Sequence, residues 1–376
     1  MRIRPSLVVV VLALAAASAP AQSSDALYTR VSALTGWEMR GYSFDSTVPN
    51  TSQWRIPVIA VVPVARRISL DLTANYFSAR LESGAGTQTL AGFSDTQLRA
   101  LYTVTPDRLA ASLSVNLPTG QQNLSVEENG VAVAVGSNFL SFPVANVGAG
   151  FSATAGLAGA VPAGSWNVGL SGSFRYQGAY TALADPAQGF EYNPGTEIRV
   201  RGGADRLLGQ RTRVTLGLTF STFSTDEYLP SGQSLSTSYK PGPRWIGEAS
   251  LVRVVGRSTL AVVAWDYYRA SGKTDGVPDT SITSENIFNG EVRWNVPVTR
   301  RLQIEPLIGF RRYSVAGTQG GGGRMLSGGV SGKVGLNDRL SGVLVGRFDT
   351  GWVDALGVGR SDLTGYGFTA FLRYTR

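Results

Sequence analysis

Histidine and cysteine are both missing from these 376 residues. Without cysteine there is no disulfide framework, even in an oxidising compartment. Without imidazole the side chain best suited to general acid–base work near neutral pH is gone. The common zinc and haem ligand sets go with the two together. Lysine is scarce as well, with only Lys240, Lys273 and Lys333. A catalytic centre would have to rest on carboxylates and those three amines, so neither an enzyme nor a cofactor is expected. After residue 21 no stretch approaches the ~20 consecutive apolar residues of a membrane helix, which excludes a helical membrane protein. Clustered basic patches are lacking too. The formal charge is +8, but the arginines are spread along the chain and not gathered in patches, which argues against a nucleic-acid partner.

Met1–Ala21 reads as an export signal to be cleaved. Arg2 and Arg4 form its basic start, Leu7–Ala19 its apolar stretch, and Ala19-Pro-Ala21 its small-residue cleavage site. Removing it takes away two arginines and no acid, leaving +6. Residues 22–376 are then expected to form one domain. They are rich in glycine and 10% aromatic, a composition that suits strands and turns.

The pattern that fills this domain is plainest over residues 92–120. Leu109, Ala111, Leu113, Val115 and Leu117 alternate with Ala110, Ser112, Ser114 and Asn116, giving a strand with one apolar and one polar face. Leu98, Ala100, Tyr102 and Val104 alternate before it. Thr105-Pro-Asp-Arg108 joins the two as a tight turn. Similar short connections recur at 64–67, 161–165, 208–211, 255–258, 298–301 and 336–339. Longer polar segments, at about 44–53, 80–92, 118–143, 179–190, 225–242, 270–285, 315–325 and 351–362, alternate with them. The count predicts sixteen strands, or fourteen if the weaker hairpins fail.

A soluble sandwich would bury the apolar face, and a membrane barrel would turn it outward. The strands run to about 11–14 residues, beyond the ~5–6 usual in soluble sheets and close to what a tilted strand needs to cross hydrocarbon. Trp37, Trp54, Tyr76, Trp166, Tyr176, Trp245, Tyr267, Trp294 and Tyr313 sit near strand ends, as an interfacial aromatic girdle would. A closed sheet also leaves no unpaired edge in lipid. The expected fold is therefore all-β: a transmembrane antiparallel up-and-down barrel of the bacterial outer membrane. Its short turns would be periplasmic and its long loops extracellular.

The polar face should then line a lumen. Its candidate residues are Asp71, Arg99, Arg175, Arg213, Glu291, Arg293, Glu305, Arg311, Lys333, Arg347 and Arg373, with Glu38, Arg40, Glu197, Arg199, Arg201, Glu248, Asp266 and Asp349 beside them. Two readings coexist. The charges pair across strands and stiffen the wall, or they set a mildly cationic field that favours anions. Residues 121–142 also admit two readings: a lumen constriction, or, the favoured one, a cap between two strands that extend past the membrane. Ser271-Gly-Lys-Thr274 resembles the end of a phosphate loop, but Tyr267 stands where the leading glycine belongs, so an ordinary loop is expected.

Gly92-Phe-Ser-Asp-Thr96, the tight turn, and Leu117-Pro-Thr-Gly120 resemble the phenol-degradation MetA-pathway family of outer-membrane barrels. Tyr192-Asn-Pro-Gly-Thr-Glu-Ile-Arg199 is similar to that family too. These barrels are linked to the wider fatty-acid and aromatic-hydrocarbon channels. The resemblance implies a passive channel for small solutes, aromatic or hydrophobic compounds among them, and carries over no functional residues. The chain departs from the wider group in one respect: only Gln22 to about Leu34 precedes the first strand, so an N-terminal plug is absent or minimal. The last strand, with Tyr366, Phe368, Leu372 and Tyr374 on one face, resembles the signal read by the barrel-assembly machinery, although the chain closes on Arg376 instead of an aromatic. The expected partners are therefore outer-membrane lipid, that machinery and small-molecule solutes. The other functional class in view is a closed structural or adhesive barrel with a filled lumen and partner-binding loops.

Overall fold

The computed structural model describes residues 31–45, 48–183, 189–230, 236–318, 320–355 and 359–376. The export signal expected over 1–21 lies outside them. The chain begins with β1 (Ser32–Phe44), β2 (Asn50–Ala65), β3 (Ile68–Ser83), β4 (Gly86–Phe93), β5 (Thr96–Thr105) and β6 (Leu109–Leu117). A helix, α1 (Val126–Val135), follows. Then come β7 (Ser152–Ala163), β8 (Trp166–Gln177), β9 (Tyr180–Leu183), β10 (Phe190–Asn193), β11 (Glu197–Leu208) and β12 (Thr212–Phe223). β13 (Asp226–Pro230), β14 (Thr237–Lys240), β15 (Arg244–Val255), β16 (Ser258–Ala270), β17 (Lys273–Thr274) and β18 (Val277–Pro278) follow. The chain ends with β19 (Ser284–Pro297), β20 (Leu302–Ala316), β21 (Gly321–Gly335), β22 (Leu340–Ala355) and β23 (Gly359–Thr375).

Seventeen of these strands form one antiparallel sheet that closes where β1 pairs with β23, Ser32 opposite Thr375 and Phe44 opposite Leu363. β4 and β5 share one place in it. β4 pairs with Tyr76–Ser83 of β3, and β5 with Ile68–Thr73. The wall therefore has sixteen positions, the larger of the two expected counts. Each short connection joins wall neighbours at one end of the barrel. Their geometry explains their composition: Asp107, Gly164, Gly209 and Gly256 all hold φ between 59° and 66°, which glycine adopts freely and aspartate tolerates.

The pleat sorts the two faces as the alternation predicts. Leu157, Leu170, Ile308, Leu326 and Leu344 are each more than half exposed on the outer face. An apolar belt of this extent on a closed barrel has hydrocarbon as its natural solvent. Trp37, Trp54, Tyr76, Trp166, Tyr176, Trp245 and Trp294 share the outer face with it. Tyr267 and Tyr313 do not. They turn inward, Tyr267 opposite the buried Ile287, and Tyr313 stacked on Phe139 with ring centres 5.5 Å apart. Asp266 is the reverse correction. It lies opposite Gly247 and Phe288, on the outer face, and not in the lumen. Charge suggested the inside, but strand parity prevails: Leu260, Val262, Ala264 and Asp266 share one face. The Asn286 amide donates to both Asp266 oxygens at 3.0 and 3.1 Å, so the carboxylate is not left bare.

Three of the expected polar loops are built differently from their composition. β9, β10, β13, β14, β17 and β18 form a second sheet of six strands at the long-loop end. It stands above β8, β11, β12, β15, β16 and β19. Lys273 and Thr274 of the Ser271–Thr274 segment form β17, which lies between β14 and the edge strand β18. The expected loop at 80–92 is mostly strand, because β3 and β4 continue as a hairpin to Ser83 and Gly86.

Candidate functional site

Residues 118–150 fold into the barrel. This overturns the favoured expectation of a cap beyond the membrane. Their fold begins with Ser125, whose hydroxyl accepts from Glu128 N at 3.2 Å while Glu128 Oε2 accepts from Ser125 N at 2.9 Å. That reciprocal cap starts α1. Val131 and Val135, one turn apart, are then buried together. The Val131-Ala-Val-Ala-Val135 run carries a β-branched residue at every second position, yet the cap at Ser125 and Glu128 starts a helix through it.

Two halves of the quoted motif form the neck of this segment. The strand breaks between β4 and β5, and Asp95 turns in. Its carboxylate accepts from Gly120 N at 3.0 Å and from Ala149 N at 2.8 Å. Thr96 N donates to Thr119 Oγ1 at 2.9 Å, and that hydroxyl donates to Ser94 O at 3.1 Å. The outgoing and returning chains touch so closely that a Cβ on Gly120 would lie 2.2 Å from Val147 O. The serine–aspartate–threonine run and the Leu-Pro-Thr-Gly run are thus two sides of one clasp.

Beyond the neck, Phe139, Leu140, Phe142 and Val144 are buried against Tyr42, Phe77, Met325 and Leu363 of the inner wall. The core of this protein sits inside its barrel and on one side of it. Wall side chains hold the backbone there. Arg40 Nη1 donates to Ser141 O at 2.7 Å, Tyr42 OH to Leu140 O at 3.1 Å, and Arg311 Nη1 to Phe139 O at 2.6 Å. Gln53 pairs with Val144 in both directions, each bond 2.7 Å. Asn138 reaches Glu285 Oε1 at 3.1 Å. Arg311 therefore faces inward as a clamp on the loop, 7% exposed, and is not presented to solvent.

The other candidate residues lie on the same inner face and largely pair. Asp71 binds Arg99, Glu291 binds Arg293, Arg347 meets Asp349 at 2.8 Å and Glu291 at 3.4 Å, and Arg293 reaches Glu305 at 4.0 Å. Arg175 lies 3.8 Å from Glu197, and Arg213 3.0 Å from Asp205. No ion pair to a carboxylate is seen for Lys333 or Arg373 among the described residues; they sit together near the short-turn end of β21 and β23. Sequence reading left out Gln53, Arg55, Asp205, Arg244, Arg269 and Glu285. Arg55, for one, was legible: it shares parity with Gln53 against the apolar Trp54, Ile56 and Val58. It now binds Glu38 at 2.6 Å.

The lumen is asymmetric as a result. The Asp349 side chain is 1% exposed on the filled side, whereas Arg99, Arg201 and Arg213 are 36%, 44% and 59% exposed on the other. Water reaches the wall along β5, β11 and β12.

No family model and no curated protein matches this chain. Among solved structures, it is similar to a FadL homologue from Pseudomonas aeruginosa, with 10% identity, a TM-score of 0.43, and 92% and 90% of the two chains covered. It is similar to an anion-selective porin from Comamonas acidovorans, with 11% identity, a TM-score of 0.40, and 92% and 98% covered. An outer membrane channel from Pseudomonas putida F1 matches at 10% identity and a TM-score of 0.39, with 92% and 96% covered. Likenesses at this level say nothing of solute or mechanism, which rest on the lumen itself.

The second sheet stands over the open side and carries a nest of tyrosines. Tyr192 stacks on Tyr228 with centres 4.7 Å apart and meets Tyr180 edge-on at 5.6 Å. Its hydroxyl donates to Asp226 Oδ2 at 2.6 Å. Burial, with Tyr228 close by, pushes Tyr180 up to about 12. Burial and the bond to Asp226 push Tyr192 up as well. The neutral phenols are the forms the fold prefers, so their contribution is present below pH ~10, where unfolded tyrosine ionises, and is lost as pH rises through the folded value. In a titration followed at 295 nm, these rings should ionise only above the range of unfolded tyrosine, together with loss of the second sheet. A single tyrosine population titrating near the unfolded value would contradict this.

Proposed function

We propose that the protein is an outer-membrane channel for passive passage of small solutes, narrowed by residues 118–150 and mildly selective for anions. The observation that carries this reading is the half-filled lumen. One side is packed, and the other keeps exposed arginines on a wall wide enough for water; sixteen strands leave an aqueous interior unless something fills it. Selectivity would come from the remaining width and from charge. Lys333 and Arg373 at one end, which pair with no carboxylate among the described residues, give the passage a cationic bias, while Arg201 and Arg213 along the wall are offset by Glu248 and Asp205. No imidazole exists to act as a base near neutral pH, and this reading includes no catalytic step. The sequence resemblance adds aromatic and hydrophobic compounds to the solutes to be tried. The outward Tyr366, Phe368 and Leu372 of β23 are what the assembly machinery would engage.

The buried cluster around Tyr42 and Phe142 favours one competing reading, a closed structural barrel. Planar-bilayer recording of the refolded protein separates them. Steady steps, with a reversal potential in a KCl gradient displaced toward chloride, are expected. A folded, heat-modifiable barrel that stays silent would favour the closed reading.

A further inference from the structure

The open side of the lumen ends, beneath the second sheet, in a corner with more cation than it can satisfy. Four neighbouring strands build it. Arg175 near the end of β8 lies opposite Glu197 of β11, Glu197 lies opposite Phe223 of β12, and Ser221 lies opposite Arg244 of β15. The register thus brings Arg175, Arg199 and Arg244 around one corner of the inner face. Glu197 is the carboxylate within it: Arg199 Nη2 lies 2.5 Å from Oε1 and Arg175 Nη1 3.8 Å from Oε2. Asp226, close above, already accepts from the Tyr192 hydroxyl at 2.6 Å and from Gly195 N at 2.7 Å. The Arg244 guanidinium lies 4.5 Å from the centre of the Phe223 ring, over its face.

Two donors in this corner have nothing to donate to. Among the described residues, the buried Nε atoms of Arg175 and Arg244 have no hydrogen-bond acceptor, although Arg175 Nη2 donates to Gln177 Oε1 at 2.5 Å. A buried charged donor left unpaired is costly, and such groups mark places where an anion is wanted. The guanidinium fork suits a carboxylate, which it can hold through two parallel bonds. The roof is aromatic: Tyr180, Tyr192 and Tyr228 form one nest, and the Arg175 charge reaches both Tyr180 and Tyr192. A planar ring attached to the anion would find the Tyr faces and the Arg244–Phe223 stack on either side.

We propose that this corner, built by Arg175, Arg199, Arg244, Phe223 and the Tyr180–Tyr192–Tyr228 nest, binds small aromatic carboxylates at the mouth of the lumen. As an uptake site it rests on the channel reading; as a binding site it stands apart from it. The carboxylate takes the two orphaned guanidinium donors and the ring packs under the second sheet.

Equilibrium dialysis of the folded full-length protein in detergent, with radiolabelled benzoate at low ionic strength, tests this. Benzoate should be retained, and benzyl alcohol, which has the ring without the charge, at least tenfold less. The Arg175→Gln, Arg244→Gln double variant should lose benzoate at least tenfold while remaining heat-modifiable. Arg257→Gln, in the exposed short turn between β15 and β16, should bind as the parent does. Equal retention of benzyl alcohol, unchanged binding by the double variant, or displacement of benzoate by equimolar inorganic phosphate would overturn the proposal. Conductance of the same preparation keeps the two failures apart. Benzoate bound by a silent barrel would remove the channel and leave the site, whereas open steps without benzoate binding would remove the site and leave the channel.

Discussion

Excising residues 121–147 and joining Gly120 to Gly148 is expected to raise single-channel conductance roughly three-fold or more, toward that of an unobstructed sixteen-strand wall. The neck makes the splice geometrically easy. Gly120 and Gly148 already pass within contact of each other, a Cβ on Gly148 falling 2.5 Å from Gln121 O and 3.0 Å from Gly120 C. Both ends of the splice stay tied to Asp95, one directly through Gly120 N and one through Ala149 N. β6 and β7 pair with each other from Leu109 to Asn116 without help from the loop. The cost falls on the inner wall, where Tyr42, Phe77, Met325 and Leu363 lose their apolar cover. Lower thermal stability should accompany the larger steps. Where that cost hinders assembly, Gln53→Ala with Arg311→Ala removes three of the bonds that hold the loop, each worth ~1 kcal/mol net, more from the charged donor. That variant should show flickering steps of intermediate size. Unchanged conductance in a folded deletion variant would mean that the limiting constriction lies elsewhere.

Much of this wall was legible because a closed sheet in lipid has few ways to satisfy itself. Period-two alternation sets each strand's face, and one tight turn after another sets the order. The faces of Val214–Phe220 and Leu302–Phe310 follow from the letters alone. Where charge and parity disagreed, at Asp266, parity decided, because slipping one residue would reverse every neighbour on β16. The girdle expectation failed at Tyr267 and Tyr313 for the same reason: ring type suggests the interface, but position in the pleat sets the side.

The loop was harder. Its local start was written in Ser125–Glu128, a capping box that outweighs the strand preference of the valines that follow. Its destination was not, because nothing local to Phe139 or Phe142 says that a pocket waits between Tyr42 and Met325, far away in sequence. Only the Gly92–Thr96 and Leu117–Gly120 runs hinted at a link, and their role is mechanical. Ser94, Asp95, Thr96, Thr119 and Gly120 fasten the loop where it leaves the wall. The second sheet was hidden likewise, since its four-residue and two-residue strands are too short to show a period.

The inside-out assignment itself yields the other large effect. Leu113 and Ser114 are adjacent on β6 and face opposite ways. Leu113 is 52% exposed among the belt residues, while Ser114 lies opposite Arg99 and Thr154 on the inner face. Leu113→Arg would place a guanidinium near mid-membrane, at a cost of ~2–4 kcal/mol. Partial burial in protein would not relieve it, because the neighbours across the strands are Ala100 and Ala155. Ser114→Arg places the same group in the wetted lumen. There it meets Arg99, whose charge is already shared with Asp71, so like-charge repulsion adds only ~0.2–1 kcal/mol. Refolding into vesicles, followed by heat modifiability and urea titration, should therefore show Leu113→Arg crippled and Ser114→Arg near the parent. In a soluble β-sandwich the ranking would be the same, because the apolar face would be the core and Ser114 the wet surface, but the parent would then fold in detergent-free buffer. The parent's need for lipid or detergent therefore decides the matter. Equal tolerance of both arginines would place residue 113 at the water boundary and shift the whole belt toward the long-loop end.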